Sequence, residues 1–174
     1  MTAPVRVHIR VPGTAPMPEL MRLIQSIESA GFDGAGILDS QMISRDTFVT
    51  LGQAATHTSR MQLFPAVTNP FTRHASVLAG AIQTVEELAP GRVKFVMGTG
   101  YTSATTIGRK AATLAEMRES IATIKTLLAG ESARCTMPRL LPTSSSTPSA
   151  TSPATSMALG PEAAISTGMR RPPA

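Results

Sequence analysis

The sequence predicts an α/β fold: the N-terminal half of a (β/α)8 TIM barrel, about four βα units long, with a disordered C-terminal tail. Three observations carry this. Met61 to Gly100 reads as a complete strand–helix–strand unit. Its two apolar strands, joined by a helical crossover, should run parallel with the helix on their face. Strand starts recur roughly every 30 residues, the repeat of a (β/α) barrel. The pattern ends after four units, whereas a closed eight-stranded barrel takes about 250 residues and this chain has 174.

In chain order, Val5 to Val11 alternates apolar residues with Arg6, His8 and Arg10, as a strand with one less buried face would. Pro12-Gly13 breaks it. Pro18 suits a first helical turn, the stripe Leu20, Leu23, Ile24 and Ile27 makes a helix, and Gly31 closes it. Ala35 to Leu38 is a second strand ending at Asp39. Asp46 is placed to cap a helix running to about Thr56. Met61 to Thr68 is the third strand, and Asn69-Pro70 a turn. From Ala75 to Ala89 the spacing of Val77, Leu78, Ala81, Ile82, Val85 and Leu88 gives one helical face, stopped by Pro90-Gly91. Val93 to Met97 is the fourth strand, running into Gly98-Thr99-Gly100. Leu114 to Ala129 is the last helix, with Leu114, Met117, Ile121, Ile124 and Leu128 on one side and Gly130 behind it.

The character changes near Arg134. We divide the chain into a half-barrel domain, 1–134, and a Pro/Ser/Thr-rich tail, 135–174. The tail holds half of the 14 prolines. With so little apolar surface to bury, it is expected to be disordered.

Composition narrows the function. Hydrophobic content of 42% supports a core, but aromatics are 3% and there is no Trp, so Ala, Leu, Val, Ile and Met must fill it. The net charge of +5 invites nucleic acid as a partner. Before the tail, however, the basic residues are dispersed, with no run longer than Arg109-Lys110, and nucleic-acid binders cluster their charge. We expect no nucleic acid and no membrane partner. Cys135 stands alone, which fits a reducing compartment; with no signal-like segment, the expected location is cytoplasmic. His8, His57 and His74 are far apart, without ligand-spaced neighbours, so no metal is expected.

The strings VTNPFTRHA, ELAPGR and GTG, in that order, resemble the luciferase-like monooxygenase superfamily of flavin-dependent oxidoreductases. They are most similar to its deazaflavin-dependent methylene-tetrahydromethanopterin reductases, over about Val5 to Glu131. The resemblance implies FMN or a deazaflavin coenzyme at the barrel mouth and a small-molecule substrate. It implies cofactor binding by Asp39, by Ala66, Val67, Thr68 and Asn69 at the end of strand three, and by Gly98 and Gly100. Relatives rest the flavin ring on that strand end, over a non-proline cis peptide that here would be Ala66–Val67. It also implies a homo-oligomer, formed through the helices at 46–58 and 75–89.

Two departures from the family pattern stand out. Where relatives carry Asp-His, this chain has Asp39-Ser40, so the proton-transfer role of that His has no carrier. Where some deazaflavin relatives carry an acid after GTG, this chain has Tyr101. Read from the residues alone, Asp39 is more often a loop Asp capping its own backbone than a cofactor contact, and Arg73-His74 more often an exposed helix start than an anion contact. No catalytic residue is assigned. The expected function is a flavin- or deazaflavin-dependent oxidoreductase, truncated, either active or inactive, with weak or absent cofactor binding because relatives hold the cofactor's phosphate with their second half. The rivals are a non-catalytic half-barrel that self-associates or binds a protein partner, and nucleic-acid binding through the tail.

Overall fold

The computed structural model describes residues 5–133. The expectation for residues 135–174 lies outside that range. Elements follow in the order β1 (His8–Val11), α1 (Met17–Ser29), β2 (Gly34–Ile37), α2 (Thr47–His57), β3 (Gln62–Pro65), α3 (Ala75–Leu88), α4 (Tyr101–Thr106) and α5 (Leu114–Leu128). The strands form a parallel sheet in the order β1-β2-β3. Its register sets His8 beside Gly34 beside Gln62, and Arg10 beside Gly36 beside Phe64.

The period of two splits the sheet into unlike faces. Val11, Ala35, Ile37 and Leu63 are buried, packed with Ile24, Leu51 and Leu78 from the helices. His8, Gly34, Gly36, Gln62, Phe64 and Ala66 share the opposite face: a side-chain carbon added at Gly34 would collide with His8 Nδ1, and one at Gly36 would stand 2.5 Å from the Phe64 ring and 2.6 Å from Ala66 Cβ. No helix covers that face among the described residues.

Three strand expectations need correction, and one of them is the third strand, which ends at Pro65 rather than Thr68. The first strand starts at His8 rather than Val5. Ahead of it, the Asp33 carboxylate accepts a hydrogen bond from Val7 N at 2.7 Å. The fourth strand, Val93 to Met97, is not a regular strand. It lies parallel to β3 and touches it only in isolated bridges, Leu63 with Val93 and Thr68 with Met97. Leu63 N donates to Arg92 O, and Lys94 N to Leu63 O. The next donor on that side would be the N–H of residue 65, and Pro65 has none, so the ladder stops there.

The helices match their spacing, with local chemistry fixing the ends. Asp46 Oδ1 accepts from Phe48 N and Val49 N, the expected cap of α2. His74 Nδ1 caps α3 by accepting from Ser76 N. A capping box joins Thr113 and Glu116 at the start of α5. The apolar stripes bury less than their spacing implies. Leu23, Val77 and Leu88 are exposed, and of the α5 stripe only Ile124 is fully buried, with Leu114, Ile121 and Leu128 open. No described helix is long and apolar enough to cross a membrane.

Candidate active site

The strand ends and most helix starts gather at one end of the sheet. There Thr68 and Asn69 follow β3, Gly98 and Gly100 follow the bridged segment, and Asp39 follows β2. Thr68 N donates to Val96 O at 3.2 Å, and Gly98 N to Thr68 O at 2.8 Å, so the two chain ends are clamped together. The glycines make this approach possible. A side-chain carbon at Gly98 would stand 2.7 Å from Val67 Cγ2, and one at Gly100 2.6 Å from Asn69 Cβ. Gly100 has φ +77, which glycine adopts without cost. The peptide between Ala66 and Val67 is cis.

Asn69 is fully buried and locks its turn. Its Oδ1 accepts from Phe71 N and Thr72 N, while Nδ2 donates to Thr72 Oγ1 and, at 2.9 Å, to Ser103 Oγ. Ser103 belongs to α4, a helix the sequence reading missed. Its six residues carry no apolar periodicity, so pattern alone offers no signal for it.

Asp39 is buried at 3% exposure, and its carboxylate is occupied. Arg73 Nη1 donates to both oxygens, at 2.9 and 2.7 Å, and Gln41 Nε2 donates to Oδ1. Arg73 Nη2 reaches Asp46 Oδ2 at 2.6 Å, and the guanidinium lies 5.1 Å from the centre of the Phe48 ring. Arg73 is therefore neither an open anion contact nor a loose helix start. Burial works against both charged forms, but the shared hydrogen bonds dominate: the pKa of Asp46 falls below its ordinary value and that of Arg73 rises. Asp39 likewise does not cap its own backbone. These partners stand 27 and 34 residues apart, a separation that no sequence period reveals.

The end of β3 and the two glycines leave a surface that could receive a flat ring. Ala66 is small, Val67 is 41% exposed at the end of the strand, and Thr68 Oγ1 is buried without a hydrogen-bond partner. Gly98 and Gly100 hold the neighbouring chain close beside them. A phosphate favours free helix N-terminal amides and free cations. Here α2, α3 and α5 are capped by their own Asp46, His74 and Thr113 side chains and Arg73 sits between two carboxylates, while α1 and α4 have no side-chain cap. Among the described residues no group of three or more His, Cys, Asp or Glu could hold a metal ion.

The comparisons with known proteins give the family and the fold. The chain is 32% identical over 120 residues to 5,10-methylenetetrahydromethanopterin reductase of Methanolobus tindarius, covering 67% of this chain and 36% of that protein. The coenzyme F420-dependent tetrahydromethanopterin reductase of Methanopyrus kandleri superposes with a TM-score of 0.64 at 26% identity, over 71% of this chain and 40% of that one. A type II Baeyer–Villiger monooxygenase of Pseudomonas putida, solved with FMN, shares the fold at a TM-score of 0.58 and 19% identity, over 73% of this chain and 40% of that one. The chain thus spans well under half the length of each. The model of the family described as luciferase-like monooxygenase matches residues 1–170, and the chain belongs to that family.

Proposed function

We propose that this chain carries the ring-holding half of a flavin- or deazaflavin-dependent oxidoreductase site acting on a small molecule. The supporting observation is the clamped mouth, where Ala66, Val67, Thr68 and Asn69 lie against Gly98 and Gly100 in a chain of this family. When bound, such a cofactor supplies hydride transfer or oxygen activation. The chain's own part is to present a small, partly apolar shelf at Ala66–Val67 and to hold it rigid through Asn69 and Ser103. Asp39, tied by Arg73, fixes the rim of the mouth rather than moving a proton.

In this reading the described residues are about four strand–helix units of a barrel, ending at a domain boundary near residue 134. They hold a ring and leave its phosphate unsupported, so the isolated chain is a weak binder without efficient turnover. The test is a fluorescence titration with FMN and with coenzyme F420. Saturable binding weaker than about 1 μM is expected, corresponding to less than about 8 kcal/mol. Gly98→Val should abolish it by displacing Val67. Absence of saturation up to millimolar cofactor would refute the ring site, and micromolar or tighter binding would refute the missing phosphate site.

A second reading is favoured by the exposed apolar side chains. Val49 on α2, and Val77 and Leu88 on α3, face solvent, and the outer edges of β1 and of 93–97 are unpaired among the described residues. We infer self-association through α2 and α3. Sedimentation at micromolar concentration should give a dimer, and a lone monomer would contradict this.

A further inference from the structure

The uncovered face of the sheet carries charge that the proposed chemistry does not use. Arg10, Gly36 and Phe64 share one register row across β1, β2 and β3. Lys94 continues it, because Val93 is bridged to Leu63 on the helix side and the next residue turns to the other face. Arg10 and Lys94 are exposed, and neither has a hydrogen bond, ion pair or ring contact among the described residues. The described strands place no Asp or Glu on this face. One row deeper, His8 Nδ1 and Gln62 Oε1 are buried without partners. The His8 and Phe64 rings meet edge to face, with centroids 5.4 Å apart.

We infer that this row is a substrate subsite for a planar dianion, an aromatic or heteroaromatic dicarboxylate, whose ring lies over Phe64 between Arg10 and Lys94. The inference names the substrate class of the proposed redox site and rests on that reading. Three strand spacings of about 4.8 Å separate the two cations, roughly 14 Å on a flat sheet and less on a curved one. Side chains stand nearly perpendicular to a sheet, so the charged heads keep about that separation. A benzene ring with carboxylates para to each other, plus a charge-assisted hydrogen bond of about 2.8 Å at each end, fills the span. Ala66 follows Phe64 by two residues on the same face, so the ligand would lie directly below the shelf assigned to the cofactor.

The test needs no cofactor. The full chain is titrated by calorimetry with benzene-1,4-dicarboxylate, benzoate, benzene-1,4-dicarboxamide and polyglutamate, and the first titration is repeated on Arg10→Gln, Lys94→Gln and the exposed control Lys110→Gln. The dicarboxylate should bind, with affinity falling at least tenfold in each of the first two variants and unchanged in the control. Benzoate should bind at least fivefold more weakly, and the dicarboxamide should not bind. No saturation by the dicarboxylate at millimolar concentration, equal affinity in all three variants, or equal affinity for benzoate would overturn the inference. Tighter binding of polyglutamate would overturn it in favour of an acidic protein partner. Because the cofactor titration is separate, failure of the dicarboxylate titration leaves the cofactor reading standing, whereas failure of the cofactor titration removes the redox role and leaves only an anion site.

Discussion

Gln62 and Leu63 are neighbours in β3, yet they face different surroundings. Leu63 is 0% exposed among Ile37, Leu51 and Leu78, where removing any methyl group leaves a void. Gln62 points to the uncovered face and ends in an oxygen without a partner. The helix-covered face follows the ordinary rule of a parallel sheet, with continuous aliphatic packing. The other face has two glycines in its central strand, rings lying over them, and cations on β1 and on the bridged segment 93–97. Stability resides on the first face. The proposed recognition sites lie on the second and at its mouth.

The sharpest way to break this comparison is to truncate adjacent residues. Leu63→Ala should cost about 2–5 kcal/mol, read as a lowered midpoint in urea unfolding. Gln62→Leu should fall within about 0.5 kcal/mol of the parent or stabilise it, since a buried unpartnered oxygen is removed. Equal losses at both sites would show that the second face is as tightly packed as the first.

Next in size is Gly36→Ala, with an expected loss of about 1–3 kcal/mol from overpacking. The added carbon meets Phe64, which lies on an open face, and Ala66, which does not yield. Phe64→Ala in the same chain should therefore restore only part of the loss in a double-mutant cycle. Full recovery would place all of the crowding on the ring.

The smallest effect concerns pH. On the covered side, Glu28 joins the end of α1 to the start of β3 by accepting from Ser59, Arg60 and Met61 N–H groups. Burial raises its pKa, but these bonds and the Arg60 charge outweigh it and bring the pKa below the ordinary value of 4.5. Asp46 is lowered at the mouth, where the Arg73 and N-cap bonds overcome burial, and Glu116 is lowered by the Thr113 N–H and hydroxyl. A carboxylate with a depressed folded pKa contributes stability that is complete above its unfolded pKa and is lost as pH falls through the folded one. Unfolding free energy should therefore decline below about pH 4.5. Glu28→Gln should make that acid slope shallower while leaving the slope above pH 6 unchanged. An unaltered acid slope would show that Glu28 contributes nothing to it.

Much of this arrangement was legible in the sequence, for reasons that also mark where legibility stops. The helix over Ala75 to Leu88 follows from apolar spacing, and the Asp46 cap from one residue's local chemistry. The family strings led to the mouth, including the cis peptide at Ala66–Val67. The signal Thr-x-x-Glu at 113–116 was present for the capping box and went unread. Pro65 was also visible, but its effect on the fourth strand depends on which side of β3 that missing N–H faces. The ties of Arg73 to Asp39 and Asp46, and of Asn69 to Ser103, join segments distant in the chain, so only the folded arrangement reveals them. The open face was hidden for a similar reason: Arg10 and Lys94 become one row only once register is known.

The central claim is that these residues hold a ring without its phosphate. A phosphate held by charge-assisted hydrogen bonds gains about 1.5–3 kcal/mol from each, and about 1.4 kcal/mol is a tenfold change in affinity. Riboflavin and FMN share one ring system and differ in the phosphate, so their titrations against this chain, followed by quenching of flavin fluorescence, isolate that contribution. The account predicts saturable binding of both, with affinities within about threefold of each other. FMN binding more than tenfold tighter than riboflavin, or no binding of either, would contradict it.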